Sequence, residues 1–366
     1  MNILVIGGTG PTGHFIVNGL RKRKHKVTIF HSGRHEIPEI PEDIEHIHAN
    51  AFSIDSVRDA LSNRNFDLCI SAYGRLRRIA EFMVGRVDRF ISIGGVPVYR
   101  GFMNPVVLKP MGLPVPTDET APLINIEQED KKGWRIVKTE EVVFDNHPDA
   151  THFRYPFVYG AYQLVPREWC IVRRILDNRP HIIIPDNGLM LYTFGCAENI
   201  AHAVLLAVDK PEKSKGQIFN CGDEEVFSLR QVVDIISSTL EHEWEIVSIP
   251  WDLAVPARPM MMQMFPSHRV LSIVKLQREL GYHDIIRPAD AIARTAKWLA
   301  ANKPEKKGEE ETLLQDPFDY DAEDKLIASW KKQISGIKQI YYKQKPGFGK
   351  HYSGPGGQER SSLEFK

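Results

Sequence analysis

The stretch V-I-G-G-T-G-P-T-G-H-F begins at Val5, directly behind the apolar run N-I-L-V-I, and it confines the chain to few folds. Gly7, Gly10 and Gly13 stand at G-x-x-G-x-x-G spacing between a strand and the opening of a helix. Glycines in such a turn let the backbone approach a bound group closely, and the helix start presents amide N–H groups and the positive end of its dipole. In that context the pattern reads as a pyrophosphate-binding turn of a dinucleotide site, with Thr9, Pro11 and Thr12 completing it.

From Asn2 to about Phe157 short apolar runs alternate with amphipathic stretches, the pattern of a parallel sheet wrapped by helices. Strands are expected at N-I-L-V-I, K-V-T-I-F, E-H-I-H-A, D-L-C-I-S, R-F-I-S-I and T-H-F-R-Y-P. Helices are expected near 13–22, 54–61, 76–84 and 134–144. The fold class is therefore α/β, a Rossmann-type doubly wound parallel sheet over residues 1–158. A smaller α/β substrate lobe is expected over 159–301, with strands H-I-I-I-P, Q-I-F-N-C and E-I-V-S-I-P and some chain crossing back. Residues 302–366 read as a charged solvated linker, a terminal helix and a Gly-rich, disordered tail. The long Pro-rich segment 94–131 reads as a packed, substrate-facing loop.

The 366 residues carry 47 Lys plus Arg against 47 Asp plus Glu, so no net field draws the protein to a polyanion, and no nucleic-acid partner is expected. No run approaches the ~20 apolar residues that cross a bilayer, so no membrane partner is expected either. The initial apolar run is too short for a secretory signal. Cys69, Cys170, Cys196 and Cys221 form no C-x-x-C pair and read as reduced core thiols of a cytoplasmic protein.

At the end of the second strand an acidic residue ordinarily binds a ribose 2′-OH, whereas an arginine accepts a 2′-phosphate. Here I-F-H-S-G-R-H-E places His31, Ser32 and Arg34 there, which favours NADP; Glu36 keeps NAD open. Among the fourteen histidines, His25, His31 and His35 are close in sequence, and His46 and His48 share one face of a strand. No Cys or carboxylate cluster completes a ligand set for them, so no metal is expected and surface or strand-packing roles are favoured.

Several motifs in order extend the reading: G-G-T-G-P-T-G, R-F-I-S-I-G-G-V-P-V-Y, P-T-D-E-T-A-P-L, F-R-Y-P-F-V-Y-G, K-L-Q-R-E-L-G-Y-H-D and A-R-T-A-K-W-L. On them the chain resembles the extended short-chain dehydrogenase/reductases, the NAD-dependent epimerase/dehydratase family, over roughly residues 1–301. The resemblance implies a Rossmann domain carrying the cofactor and a small C-terminal lobe for the substrate, often a nucleotide sugar. It implies cofactor contacts at Gly7, Gly10, Gly13, Asn50, Ser71, Ala72, Tyr73, Tyr155 and Pro156. It also implies substrate contacts at Gly95, Tyr159, Arg167 and Arg269, and a homodimer as in many relatives. Arg173, Arg174 and His268 stand near such contacts, with a solvated helix face the alternative for Arg167, Arg173 and Arg174.

The departures fall on the catalytic pattern. The family's Y-x-x-x-K becomes Trp134-x-x-x-Lys138, and the expected Ser or Thr is Gly95. An indole N–H is no acid or base near neutral pH. Lys138 is left to hold the ribose, and Tyr99, Tyr73 or Lys138 to supply a proton, with packing under the long loop the alternative for Tyr99 and a pocket wall for Trp134. The expectation is an NAD(P)-dependent oxidoreductase or epimerase-like enzyme transferring hydride to a small organic or nucleotide-sugar-like substrate, including an imine or activated alkene. The second reading is a catalytically silent nucleotide- or RNA-binding protein, since K-V-T-I-F-H-S-G-R and the body are also similar to chloroplast stem-loop-binding proteins.

Overall fold

The computed structural model describes residues 1–344 apart from Tyr73 and Met262. Eleven strands occur among them: β1 (Asn2–Ile6), β2 (Lys26–His31), β3 (Glu45–His48), β4 (Phe66–Ser71), β5 (Val87–Gly95), β6 (Thr151–Tyr155), β7 (Phe157–Tyr159), β8 (His181–Pro185), β9 (Phe194–Cys196), β10 (Ile218–Asn220) and β11 (Glu245–Ile249). The helices that matter below are α1 (Gly13–Lys22), α2 (Ile54–Leu61), α3 (Leu76–Met83), α4 (Lys131–Asn146), α5 (Trp169–Leu176) and α6 (Ala197–Asp209).

The main sheet is parallel throughout, in the order β10-β6-β5-β4-β1-β2-β3. Near-continuous apolar strands form it because helices cover both faces. In β1, Ile3, Leu4, Val5 and Ile6 are all buried, Ile3 and Val5 facing one cluster and Leu4 and Ile6 the other. The order reverses between β1 and β4, and ligands of such sheets bind beyond the carboxyl ends of the strands at that point. On one face α1 lies so close to α6 that a Cβ on Gly19 would meet Leu205 Cδ1 at 2.2 Å.

The strands expected from the sequence are present, with one reassignment. Q-I-F-N-C belongs not to the smaller lobe but to the main sheet, where Ile218–Asn220 pairs in parallel with His152–Arg154. H-I-I-I-P and E-I-V-S-I-P pair with each other, and β7 pairs with β9. The Pro-rich segment is packed: Val96, Val98, Tyr99, Phe102 and Ile124 share a core cluster with Val137, Tyr192 and Leu271.

The chain divides into two compact units, Met1–Phe318 and Asp319–Lys366. The first includes part of the expected linker, because Glu311 and Asp316 are buried by charge pairing with α5. Glu311 meets the indole N–H of Trp169 and the Arg173 guanidinium, and Asp316 accepts from Arg174 at 2.7 Å. The second unit contains the helix Tyr320–Lys338, whose N-terminus is capped by the Asp319 carboxylate accepting from the Ala322 amide at 3.1 Å. The polar tail from 345 onward lies outside the described residues. Among the described residues no helix is long and apolar enough to cross a membrane, and the four cysteines are free and buried.

Under the Pro-rich segment runs a buried polar network. The Arg154 guanidinium donates to both oxygens of Glu140 at 2.9 and 2.7 Å and to the Tyr99 hydroxyl at 2.9 Å, and Tyr99 donates to Asn220 Oδ1 at 2.6 Å. His152 lies 3.2 Å from Glu140 and 2.7 Å from the Ser92 hydroxyl. Burial alone would raise the Glu140 pKa, but the hydrogen bonds and charges of His152 and Arg154 hold it at about 2. Replacing Arg154 by Met strands that carboxylate and should destabilise the fold by about 3–5 kcal/mol in urea unfolding; a loss under about 1 kcal/mol contradicts the network's role. Because the folded pKa is depressed, its stabilisation is complete above the ordinary carboxylate range and disappears as pH falls towards 2. Glu140→Gln should flatten that acid limb.

Candidate functional site

The glycine turn sits at the reversal point of the sheet. Gly7 and Gly8 have φ of +108° and +103°, and the Gly7 amide donates to Phe30 O at 2.9 Å, fixing the turn to the end of β2. A Cβ on Gly13 would lie 2.5 Å from the Gly8 carbonyl carbon, so only glycine brings the start of α1 down onto the strand end. Gly10 differs, because a Cβ there would meet nothing within 4 Å. The amides of Gly8, Thr9, Gly10 and Thr12 donate to no acceptor among the described residues. That set of donors around open space is what a diphosphate needs.

Other expected residues meet the same edge. Ser71 ends β4 opposite Ile6, fully buried, with a hydroxyl that has no partner among the described residues. A buried unpaired hydroxyl is costly unless something else completes it. The Ala72 amide donates to Ile6 O at 3.1 Å, and Tyr73 lies outside the described residues. Gly95 pairs in register with Tyr155. The buried Tyr155 hydroxyl lies by the Thr12 side chain without a hydrogen bond of good geometry, and burial raises its pKa well above the ordinary value. Pro156 follows at the end of β6. Asn50 uses its side-chain oxygen locally, accepting from the Phe52 amide at 2.9 Å. Arg34 is exposed and in no ion pair among the described residues, with its amide 3.4 Å from the Ser32 hydroxyl. His31 is buried instead, its Nε2 3.1 Å from His46 Nδ1, and burial, then the neighbouring histidines, lower its pKa although Glu36 raises it.

The expected catalytic group does not assemble. Lys138 is surface-placed and paired with Glu141 at 2.7 Å, its Nζ 5.9 Å from the centre of the Trp134 ring. Trp134 packs against the cluster of the Pro-rich segment, as a wall. Tyr99 has no exposure, its hydroxyl is committed to Arg154 and Asn220, and burial foremost pushes its pKa up to about 12. Packing under the loop therefore describes Tyr99 better than proton donation. Arg173 and Arg174 are tied to Glu311 and Asp316 rather than facing a ligand. His268 accepts at Nδ1 from the Leu191 amide at 3.1 Å.

The second lobe supplies a narrow cleft lined by Tyr159, Arg167, Tyr192, Phe194, Asp223 and Phe227. Arg167 stacks 3.4 Å over the Phe194 ring and bonds Glu168 at 3.0 Å. Arg269 is buried against the rings of Phe102 and Tyr192, 3.4 Å from Met103 O, with its Nε unpartnered and no carboxylate in reach among the described residues. Sequence reasoning missed Asp223, whose signal was its place just beyond β10 in C-G-D-E-E. Burial first and Asp284 second push its pKa up to about 7, against hydrogen bonds from the Cys196 amide at 2.8 Å and from Tyr159 and Asn199.

The histidine reading also changes here. The loop after β2 brings Glu36 back to His31, His46 and His48, so a carboxylate does complete that set; His25 and His35 stand apart from it.

No family profile matches the chain. Among curated proteins it is similar to the chloroplast stem-loop binding protein of 41 kDa b of Arabidopsis thaliana, 24% identical over 237 residues, covering 61% of this chain and 58% of that protein. It is also similar to the uncharacterized protein YbjS of Escherichia coli K12, 26% identical over 156 residues, covering 37% of this chain and 46% of that protein. The matches thus span less than two thirds of the relatives' lengths. The fold matches UDP-glucose 4-epimerase of Thermotoga maritima (TM-score 0.67, 16% identity, 83% of this chain and 100% of that one). It matches UDP-glucuronic acid 4-epimerase of Bacillus cereus, solved with UDP-glucuronic acid and NAD, at 0.64, 15% identity, 82% and 100%. It also matches WbmG of Bordetella bronchiseptica, solved with NAD, at 0.64, 14% identity, 82% and 94%. The chain therefore carries the fold of the NAD-dependent epimerases and dehydratases.

Asp223 yields a pH test. Its folded pKa is raised, so the folded state binds a proton that the unfolded state has released between about pH 4 and 7, and stability falls across that window. Asp223→Asn should remove the fall, gaining on the wild type by on the order of 2–4 kcal/mol between pH 4 and 8 in urea unfolding. Parallel stability curves for the two proteins would contradict this assignment.

Proposed function

We propose that the chain binds a nicotinamide dinucleotide across the ends of β1 and β4 and acts as an NAD(P)-dependent oxidoreductase or epimerase-like enzyme on a small anionic substrate. The observation that carries this reading is the Gly7–Gly13 turn, with open space at Gly10 and amides unengaged among the described residues, at the same strand ends as Ser71, whose hydroxyl has no partner among them. When bound, the nicotinamide supplies hydride chemistry. The turn and the start of α1 hold the diphosphate, and Ser71 and Tyr155 bound the floor. The exposed Arg34, in no ion pair among the described residues, favours NADP, while the matched structures solved with NAD support the broader class.

The substrate class follows from Arg269. A guanidinium buried without a carboxylate is poorly satisfied, and an anionic ligand group such as a diphosphate or carboxylate compensates it. With Trp134, Gly95, Tyr99 and Lys138 unable to form the usual proton-donating group, the reading favours a substrate whose reduction needs little acid assistance, or one that brings its own proton through water. Burial of all four thiols fits a reducing, cytoplasmic setting.

A second reading, RNA binding, rests on the basic cleft of Arg77, Lys131, Lys132 and Arg135 between α3 and α4, together with the stem-loop-binding relative. Salt-sensitive retention of a stem-loop RNA, abolished by K131E/R135E, would favour it over the enzyme.

Titration of the full chain with NADPH and NADH, followed by nucleotide fluorescence, tests the main reading. Gly10→Ala fits the protein without strain, so folding should be unchanged while nucleotide affinity falls at least about tenfold, about 1.4 kcal/mol. Arg34→Gln should reduce NADPH affinity more than NADH affinity. No binding of either nucleotide to the wild type would reject the proposal.

A further inference from the structure

We infer that His31, Glu36, His46 and His48 form a binding site for one divalent transition metal ion, zinc by ligand type, at the carboxyl end of β2 and β3. One ligand atom from each residue lies within 4.8 Å of all the others. The closest pairs are His48 Nε2 to Glu36 Oε1 at 3.0 Å and His31 Nε2 to His46 Nδ1 at 3.1 Å. Next come His46 Nδ1 to Glu36 Oε2 at 3.6 Å and His31 Nε2 to Glu36 Oε1 at 3.7 Å. Ligands about 2.0–2.2 Å from a tetrahedral ion stand about 3.3–3.5 Å apart; these four separations bracket that spacing, and the whole set lies within 4.8 Å, so a small contraction closes it on an ion. Three imidazoles and one carboxylate are a zinc-type donor set.

The fold builds this arrangement. β2 and β3 pair in parallel with Ile29 opposite His46 and His31 opposite His48, which puts all three histidines on one face. Their rings meet edge-on, with centroids 4.8–5.8 Å apart. Gly33, at φ +73°, lets the chain reverse against the His48 ring, and buried Ile37 and Ile40 anchor the returning loop that presents Glu36. Without an ion the contact between His31 and His46 holds a single proton between two nitrogens. Coordination through His31 Nε2 moves its proton to Nδ1 and gives up the long 3.3 Å contact from the Gly33 amide. The inference does not depend on dinucleotide binding, although His31 stands where ribose recognition is ordinarily placed.

The test uses the full chain stripped with a chelator and dialysed into metal-free buffer. Titration with Co²⁺ should produce the intense visible ligand-field band of a four-coordinate site, saturating at one ion per chain and abolished by one equivalent of Zn²⁺. The E36Q/H48A variant alters one exposed and one half-exposed side chain and should retain the wild-type circular dichroism. It should bind Zn²⁺ more weakly by over the roughly 10–100-fold that loss of a mere supporting partner costs. In the wild type, imidazole ¹⁵N spectra should shift at His31, His46 and His48 on Zn²⁺ addition. Absence of the cobalt band, equal affinity in the variant, or shifts confined to other histidines would overturn the site.

Discussion

Gly13 stands against the backbone of Gly8 with no room for a methyl group, and this contact governs the rest of the molecule. It seats the start of α1 on the end of β1, so the helix dipole, the unengaged amides and the reversal of strand order meet at one end of the sheet. Ser71 arrives there because β4 is the other strand at the reversal, and Tyr155 because β6 ends level with Gly95. A positive φ at Gly7 and Gly8 serves the same end.

The Pro-rich segment is tied down by a buried polar network. Tyr99, Arg154, Glu140 and Asn220 satisfy one another, which fixes the segment but removes Tyr99 from solvent. The two arginines of α5 are likewise turned to architecture by Glu311 and Asp316. In the second lobe Arg269 has no carboxylate in reach among the described residues, and burial pushes the Asp223 pKa up to about 7.

Much of this was legible in the sequence. Short apolar runs alternating with amphipathic stretches define six strands, and the glycine spacing defines the turn, because both are local patterns. Contacts between distant segments were not. The three-residue β10 is too short to declare its sheet, and it joins the main one only because β6 offers an open edge. Glu36 read from the sequence only as a carboxylate that keeps NAD open, yet a loop anchored by Ile37 and Ile40 returns it to three histidines. Lys138 has helical spacing from Trp134, but periodicity does not reveal that Glu141, one turn on, captures the ammonium at the surface.

Hydrogen exchange with and without a nicotinamide dinucleotide tests the central claim most directly, since it reads the amides of the glycine turn themselves. Saturating NADPH should slow exchange across residues 7–16 and around Ser71 while leaving the basic face of α4 unchanged. Exchange in the turn that is indifferent to either dinucleotide, with protection of α4 on adding RNA instead, would contradict the account.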